Sequence, residues 1–278
     1  GSLPGGWGYP PGAGRADGGD FRTTGGGLPG AGPRFDAIVP ANGYLWWYVD
    51  GMSDCGQYGL SVIAFVGSVF SPYYAWAGRN DPEDHVCINV ALYAPGANRW
   101  SMTERRRGEL KRDAFNFKVG PSSLHWANGK LVIEFDEISP PYPPFQWLPK
   151  RIKGTITVTP IAGTSRVFDI DTCGKQRWWP IAPSGDIDVK MQHGGISDWS
   201  GHSYLDCNWG TEPLDKTFHH WDWARGSAPD HGAFIFYDTQ RRDGTNGLLA
   251  LSIDGNGDVQ DIPAPPRKAV IGGAWGVQ

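Results

Sequence analysis

The segment Ile152-Lys153-Gly154-Thr155-Ile156-Thr157-Val158-Thr159 decides the fold class. Its even positions carry isoleucine, valine or glycine, and its odd positions carry lysine or threonine. Because successive side chains of a β-strand point to opposite faces of the sheet, this alternation predicts a strand with one buried face and one solvated face. Strands of this kind are typical of antiparallel sheets.

Short strand-like segments separated by turn residues continue through most of the chain. Short apolar runs rich in Val, Ile, Tyr, Phe and Trp are interrupted by Gly, Pro, Asn or Asp, as in all-β proteins. The 278 residues include 40 Gly and 23 Pro, and this excess argues against a helical bundle. The predicted strands are 44–49, 60–66, 87–93, 114–119, 130–135, 154–159, 187–191, 233–237 and 248–253. We therefore predict an all-β fold.

Two segments rich in proline or glycine divide the chain. Residues 1–34 contain 13 Gly and 5 Pro, and so few apolar side chains predict a flexible leader. Five prolines lie at positions 140, 141, 143, 144 and 149, which favours a stiff extended spacer. We therefore predict an N-terminal β-domain over residues 35–149 and a C-terminal β-domain over residues 150–278.

Charge and cysteine content exclude several classes of function. The formal net charge is −4, without a polybasic block, so we predict no nucleic-acid partner. The sequence has neither a spanning run of about 20 apolar residues nor a signal-peptide pattern. The four cysteines form no CxxC motif, so their spacing predicts no metal site and no disulfide framework. A Gly-rich phosphate loop and a βαβ unit are also missing, so we expect no cofactor.

The segment 201–210, Gly-His-Ser-Tyr-Leu-Asp-Cys-Asn-Trp-Gly, carries the candidate chemistry. On a strand, His202, Tyr204, Asp206 and Asn208 would share one polar face, opposite a face of serine, leucine and cysteine. The polar face could simply be solvated, or could form a hydrogen-bonded corner between sheets. Alternatively, Asp206 faces an apolar cavity, where loss of hydration raises its pKa and keeps it protonated as a general acid.

Four of the 14 tryptophans form two doublets, Trp46-Trp47 and Trp178-Trp179. Large aromatic side chains dominate the buried area of β-proteins, so these four are candidates for the core. Their rings could equally form the wall of a cavity that tolerates a cation.

Several strings of residues resemble the carotenoid 1,2-hydratase family, also called hydroxyneurosporene synthase. The resemblance covers roughly residues 34–275 and leaves the leader outside. Its strings are Gly-Tyr-Leu-Trp-Trp-Tyr-Val-Asp at 43–50, 63–76, Asn-Val-Ala-Leu-Tyr at 89–93, Met-Thr-Glu-Arg at 102–105, Trp-Trp-Pro-Ile-Ala-Pro at 178–183, 200–213, Trp-Asp-Trp at 221–223 and Phe-Tyr-Asp at 236–238.

This resemblance implies two consecutive lipocalin-like β-barrels or sandwiches. It also implies an enzyme of carotenoid biosynthesis in a photosynthetic bacterium, a hydro-lyase that needs no cofactor. The reaction adds water across the terminal C1–C2 double bond of acyclic carotenes such as neurosporene or lycopene. A proton goes to C2, a tertiary cation forms at C1, and water captures that cation to give a tertiary alcohol.

The resemblance also suggests roles for individual residues. Asp206 is the candidate acid, His202 or Tyr204 relays or tunes its proton, and the rings of Trp178 and Tyr204 stabilise the cation. Gln176 stands where some relatives have a histidine, so it could orient water but not relay a proton in the same way. The candidate substrate-binding residues are Trp46, Trp47, Tyr48, Gln176, Trp179, Trp209, Trp221 and Tyr237.

A long apolar substrate favours an aromatic slot open toward lipid, so we expect peripheral association with the cytoplasmic side of a membrane. Two other functions fit the same residues. A lipocalin-like carrier would hold a carotenoid or another lipid without reacting with it. A carbohydrate-active protein would stack sugars on tryptophan and use paired carboxylates, such as Asp206 and Asp222.

Overall fold

The computed structural model describes residues 32–266, and their regular structure is almost entirely antiparallel β-sheet. The all-β prediction is confirmed, and each of the nine predicted strands overlaps an observed strand. Residues 1–31 of the predicted leader lie outside the described residues, as do residues 267–278. Neither α-helix in the described part of the chain is long enough to cross a bilayer.

The elements follow one another with few helices between them. The strands are β1 (Tyr44–Ser53), β2 (Gly59–Val66), β3 (Val86–Tyr93), β4 (Arg99–Met102), β5 (Leu110–Arg112), β6 (Asn116–Val119), β7 (Ser122–Ala127), β8 (Lys130–Ser139), β9 (Lys150–Ala162), β10 (Phe168–Asp169), β11 (Gln176–His193), β12 (Trp199–Gly210), β13 (Phe218–Ala228), β14 (Gly232–Arg241), β15 (Asn246–Ile253) and β16 (Val259–Asp261). The helices are α1 (Pro72–Trp76) and α2 (Leu214–Thr217), with 3-10 turns at Pro82–Asp84 and Arg107–Glu109.

Twelve strands form one sheet, in the order β4-β3-β2-β1-β12-β11-β9-β8-β7-β6-β5, with β10 paired to β11. The sheet curls until β4 contacts β8 and β3 contacts β6, so its concave face encloses the larger apolar core. The remaining strands form a second sheet in the order β13-β14-β15-β16. Aromatic rings and a partly buried ion pair join this second sheet to the convex faces of β1, β11 and β12.

The alternating segment that predicted the fold lies within β9, and its predicted faces are confirmed. Ile152, Gly154, Ile156 and Val158 are buried, while the lysine and threonines between them are partly exposed. Glycine at 154 is required by a close approach: a Cβ there would lie 2.7 Å from the Lys190 carbonyl oxygen.

The proline-rich segment 140–149 connects β8 to β9, and these two strands pair from Ser139–Lys150 to Leu131–Val158. The segment therefore closes a hairpin connection and is not the extended spacer that its prolines suggest. Its Gln146 side chain is buried and donates a hydrogen bond of 2.9 Å to the Pro140 carbonyl. The division into residues 35–149 and 150–278 stays a prediction, and strand pairing crosses it both at β8–β9 and at β1–β12.

Candidate active site

The candidate site lies between the two sheets, on the convex face of β1, β12 and β11. Tyr48 of β1 is paired directly opposite Asp206 of β12, and Trp178 of β11 is paired opposite Asn208. The period of two places Tyr204, Asp206 and Asn208 on one face, as the sequence predicted. This face is not solvated, because all three residues are at least 96% buried beneath the second sheet.

Asp206 is held in a defined geometry. One carboxylate oxygen, Oδ2, accepts hydrogen bonds from the Trp178 indole Nε1 at 2.9 Å and from the Tyr204 hydroxyl at 2.9 Å. The other oxygen, Oδ1, is inaccessible to solvent and has no hydrogen-bond partner among residues 32–266. Because Oδ2 already accepts from two donors, Oδ1 is the oxygen that carries the proton when the group is neutral.

The environment of Asp206 raises its pKa. Burial is the largest cause and lifts the pKa to about 7, and the nearby Asp50 charge adds to the rise. The hydrogen bonds from Trp178 and Tyr204 act in the opposite sense, because they stabilise the carboxylate. Near pH 7 the group is therefore divided between a neutral acid and a carboxylate whose Oδ2 is already hydrogen-bonded.

Aromatic rings from both sheets surround this carboxyl group. From the second sheet, Trp223 lies with its ring centroid 5.1 Å from that of Tyr204 and 5.8 Å from that of Tyr48. Tyr237 lies 5.4 Å from Trp178, again between ring centroids. Electron-rich ring faces attract cations, and their effect is larger in a desolvated setting such as this one.

An ion pair joins the two sheets beside these rings. Arg225 of β13 donates from Nε to the Asp50 carboxylate of β1 at 2.9 Å and 3.0 Å, and its Nη2 makes a further close contact. Both side chains are 17% exposed. The guanidinium also lies 5.4 Å from the centroid of the Tyr204 ring. Because each charge compensates the other, the pair is tolerated in this partly buried setting.

Five of the predicted site residues meet here: Asp206, Tyr204, Trp178, Tyr48 and Tyr237. Tyr237 also accepts a hydrogen bond of 3.4 Å from the Asn208 amide. The structure thus brings together the Asp206 carboxyl group and four aromatic residues from both sheets.

His202 is not brought to the site. Its side chain is 67% exposed, and Nε2 lies 3.6 Å from the Asp54 carboxylate. It lies four positions before Asp206 on the strand, roughly 13 Å away at the usual rise. A direct proton relay from His202 to Asp206 therefore has no support in the described residues.

Trp47, Trp179 and Trp209 lie on the opposite face of their strands and belong to the larger core. Trp47 packs with its ring centroid 4.9 Å from that of Phe35, and the Trp179 indole donates to the Thr164 carbonyl at 2.5 Å. Adjacent residues of a strand cannot both face one site. The alternation within each doublet could have separated these core residues from the site residues.

Trp46, Gln176 and Trp221 occupy the margin of the site. Trp46 stacks on Tyr44 with 4.9 Å between ring centroids, and the Tyr44 hydroxyl donates to Gln176 Oε1 at 2.6 Å. Trp221 is half-buried and packs against Phe218. The buried Gln176 side chain also donates to neighbouring groups, which holds its amide in place.

Sequence reasoning missed Trp223, Arg225 and Asp50 as members of the site. The sequence feature that could have identified two of them is the alternation of side chains along β13. A period of two places Trp223 and Arg225 on one face of the strand and Asp222 on the other face. Asp222 is exposed and lies 3.0 Å from His220. It therefore forms no carboxylate pair with Asp206, and the carbohydrate-active alternative loses the feature on which it rested.

Comparison with known proteins gives a family match. The model of the family described as "Carotenoid hydratase CrtC" matches residues 62–278. The acyclic carotenoid 1,2-hydratase of Thiocapsa roseopersicina is 44% identical over 266 residues, which are 94% of this chain and 64% of that protein. The acyclic carotenoid 1,2-hydratase of Rubrivivax gelatinosus is 47% identical over 249 residues, 87% of this chain and 59% of that protein. The chain thus spans about three-fifths of the length of these two relatives.

Among solved structures, an AttH-assigned protein from Nitrosomonas europaea is similar in fold. Its TM-score is 0.53 at 18% identity, and the match covers 78% of this chain and 67% of that chain. At this identity the similarity concerns the fold alone, and it agrees with the predicted lipocalin-like all-β class.

Proposed function

Since this chain belongs to the carotenoid hydratase CrtC family, we propose that it adds water to the terminal C1–C2 double bond of an acyclic carotenoid. The observation that carries the proposal is the buried Asp206 carboxyl, with a pKa of about 7 and an unpartnered Oδ1. An acid that protonates carbon must be neutral at the working pH, and this environment keeps a large fraction of Asp206 neutral.

The first step is proton transfer from Asp206 Oδ1 to C2 of the substrate. The π electrons of the double bond form the new C–H bond, which leaves a tertiary cation at C1 and a carboxylate at Asp206. Trp178 and Tyr204 already donate to Oδ2, so the new charge is stabilised without reorganisation. Aromatic rings stabilise a desolvated cation by roughly 0.5–2 kcal/mol each, and we assign this role to Trp178 and Tyr204.

The second step is capture of the cation by water. The water oxygen bonds to C1, and one of its protons returns to the Asp206 carboxylate, which restores the neutral acid. The sum is alkene plus water to tertiary alcohol, so this scheme needs no cofactor. The same carboxyl group acts as acid and then as base, which requires a pKa near the working pH.

The test uses Asp206→Asn and, as a matched control, Asp222→Asn on the exposed face of β13. Purified protein is incubated with neurosporene or lycopene in water labelled with heavy oxygen, and the tertiary alcohol is measured by mass spectrometry. We expect labelled alcohol from the parent protein and from Asp222→Asn, and a loss of about 10²- to 10⁴-fold in Asp206→Asn.

The carrier alternative predicts another result in the same experiment. A carrier would shift the carotenoid absorption spectrum on binding but would form no labelled alcohol in any variant. Full activity of Asp206→Asn would contradict the role of Asp206, whatever the substrate.

We also propose that the protein docks peripherally on a lipid bilayer through the segment 142–150. Phe145, Trp147 and Leu148 are 81%, 71% and 72% exposed. Tryptophan and neighbouring apolar side chains insert at the membrane interface, and the exposed Lys150 suits anionic headgroups. A bilayer is the source of an acyclic carotenoid, so docking there would shorten the transfer of the substrate.

A further inference from the structure

Two unsatisfied polar atoms lie in the same part of the site. Asp206 Oδ1 and the Trp223 indole Nε1 are both inaccessible to solvent and without a hydrogen-bond partner in the described part of the chain. Tyr204 touches both residues: its hydroxyl donates to Asp206 Oδ2 at 2.9 Å, and its ring centroid is 5.1 Å from that of Trp223. Leaving a buried polar group unpaired is unfavourable by about 1–3 kcal/mol, so each atom calls for a partner.

The two atoms have complementary chemistry. The indole N–H can only donate, and the carboxyl oxygen can accept, or donate when it is protonated. A carotenoid hydrocarbon offers neither atom a partner, whereas a water molecule can satisfy both. Building on the proposed function, we propose that Trp223 is a catalytic residue whose indole N–H holds the water that captures the cation.

The other polar side-chain atoms of this aromatic group already have hydrogen-bond partners. The Trp178 indole and the Tyr204 hydroxyl both donate to Asp206. The Tyr48 hydroxyl interacts with the Asp50 carboxylate, and the Tyr237 hydroxyl accepts from Asn208. Trp223 is therefore the residue of this aromatic group whose side-chain polar atom has no hydrogen-bond partner at all within the described residues.

The two lone pairs of a water molecule allow it to bind to Trp223 and to capture the cation at the same time. One lone pair accepts from the Trp223 N–H, and the other attacks C1 to form the C–O bond. One O–H proton passes to the Asp206 carboxylate, so the proton lost in the first step is replaced. The indole keeps its own proton throughout and acts by orientation alone.

Arg225 and Asp50 act as positioning residues for Trp223. Arg225 lies two positions after Trp223 on the same face of β13. Its ion pair with Asp50 connects β13 to β1 close to Tyr48. Asp50 is likewise two positions after Tyr48 on β1. The pair thus fixes the indole over the face that carries Asp206.

Loss of the indole N–H changes the fate of the cation rather than its formation. Asp206 still protonates C2, but the cation without a held water returns a C2 proton to the Asp206 carboxylate and becomes alkene again. In heavy water the acid carries deuterium, so each such return can leave deuterium in the recovered substrate. The ratio of deuterated carotene to alcohol therefore reports on water capture.

The experiment compares Trp223→Phe with Trp100→Phe, a control at an exposed tryptophan on β4, outside the site. Both variants and the parent protein are incubated with lycopene in heavy water, and the two products are quantified by mass spectrometry. We expect the ratio to rise by about tenfold in Trp223→Phe, the effect of losing one hydrogen bond. We expect no change in Trp100→Phe.

The ratio is independent of how much protein is folded, so a purely structural effect would lower both products equally. An unchanged ratio in Trp223→Phe, or an equal loss of both products, would overturn the inference. If Trp223→Phe does not fold, β-(3-benzothienyl)alanine at position 223 keeps the ring shape and removes the N–H, and the same expectation applies. Absence of labelled alcohol from the parent protein would instead overturn the proposed function.

Discussion

At the scale of single residues, the central feature is a carboxyl group whose two oxygens have different environments. Asp206 Oδ2 accepts from Trp178 and Tyr204, while Oδ1 has no partner in the described part of the chain. Burial raises the pKa of the group to about 7 despite these hydrogen bonds. The carboxyl is thus near the midpoint between acid and base at neutral pH, as the proposed double role of acid and base requires.

This pKa predicts that both the rate of hydration and the free energy of unfolding decrease as pH rises. The proposed mechanism uses the acid form of Asp206, so it predicts that the rate of hydration falls as pH rises through about 7. The unfolded chain releases this proton near its ordinary pKa of 3.8, whereas the native state retains it until about 7. The native state therefore binds more protons between these values, and the free energy of unfolding should decrease by about 4 kcal/mol as pH rises across that interval.

Chemical denaturation of the parent protein and of Asp206→Asn measures this contribution. The asparagine variant cannot ionise, so its stability relative to the parent protein should improve as pH rises from about 4 to about 7. A constant difference in stability across that interval would show that Asp206 has an ordinary pKa in the native state.

At the scale of elements, strand periodicity assigns each aromatic residue to a side of the larger sheet. In the two tryptophan doublets, Trp46 and Trp178 share the convex face with Asp206, whereas Trp47 and Trp179 enter the core. The motifs shared with the family assign all four tryptophans to the substrate site. A sequence motif does not show which face of a strand the second sheet covers, so it cannot separate the two tryptophans of a doublet. The alternation was readable in β12, where the polar face was assigned correctly.

Close packing at the end of β12 predicts the effect of one small substitution. A Cβ at Gly210 would lie 2.3 Å from Gln176 Oε1 and 2.6 Å from Tyr44 Cε1. We expect Gly210→Ala to lower the free energy of unfolding by about 1–3 kcal/mol, because these buried side chains must move. Gly226→Ala on β13, where a Cβ meets nothing within 4 Å, is the matched control. Equal unfolding midpoints for the two variants in a denaturant titration would contradict this expectation.

At the scale of the whole molecule, the site exists because a second sheet covers a face of the first. The four-stranded sheet supplies Trp223, Arg225 and Tyr237, and the larger sheet supplies Asp206 and its two donors. The Asp50–Arg225 ion pair and the packed rings connect the sheets. Cover from the second sheet removes water from Asp206, and this desolvation is the largest cause of its raised pKa.

Membrane docking is also a property of the whole molecule, and it can be tested with vesicles. We expect the full chain to sediment with vesicles containing anionic lipid, and the Trp147→Ser/Leu148→Ser variant to bind at least about tenfold more weakly, since it loses two exposed apolar side chains. Ile161→Ser, a moderately exposed position on β9, is a control outside the segment. Equal binding by all three proteins would contradict docking through residues 142–150.

The sequence by itself determined the strand class, most strand positions and the face that Asp206 shares with Tyr204, because these depend on a period of two along a local stretch. Only the tertiary structure decided which face is covered, that Tyr48 lies opposite Asp206, and that His202 lies outside the site. It also revealed Trp223 and Arg225 as neighbours of Tyr48 and Asp50. These contacts join residues far apart in the chain, and local periodicity carries no information about which distant strands will pair or stack.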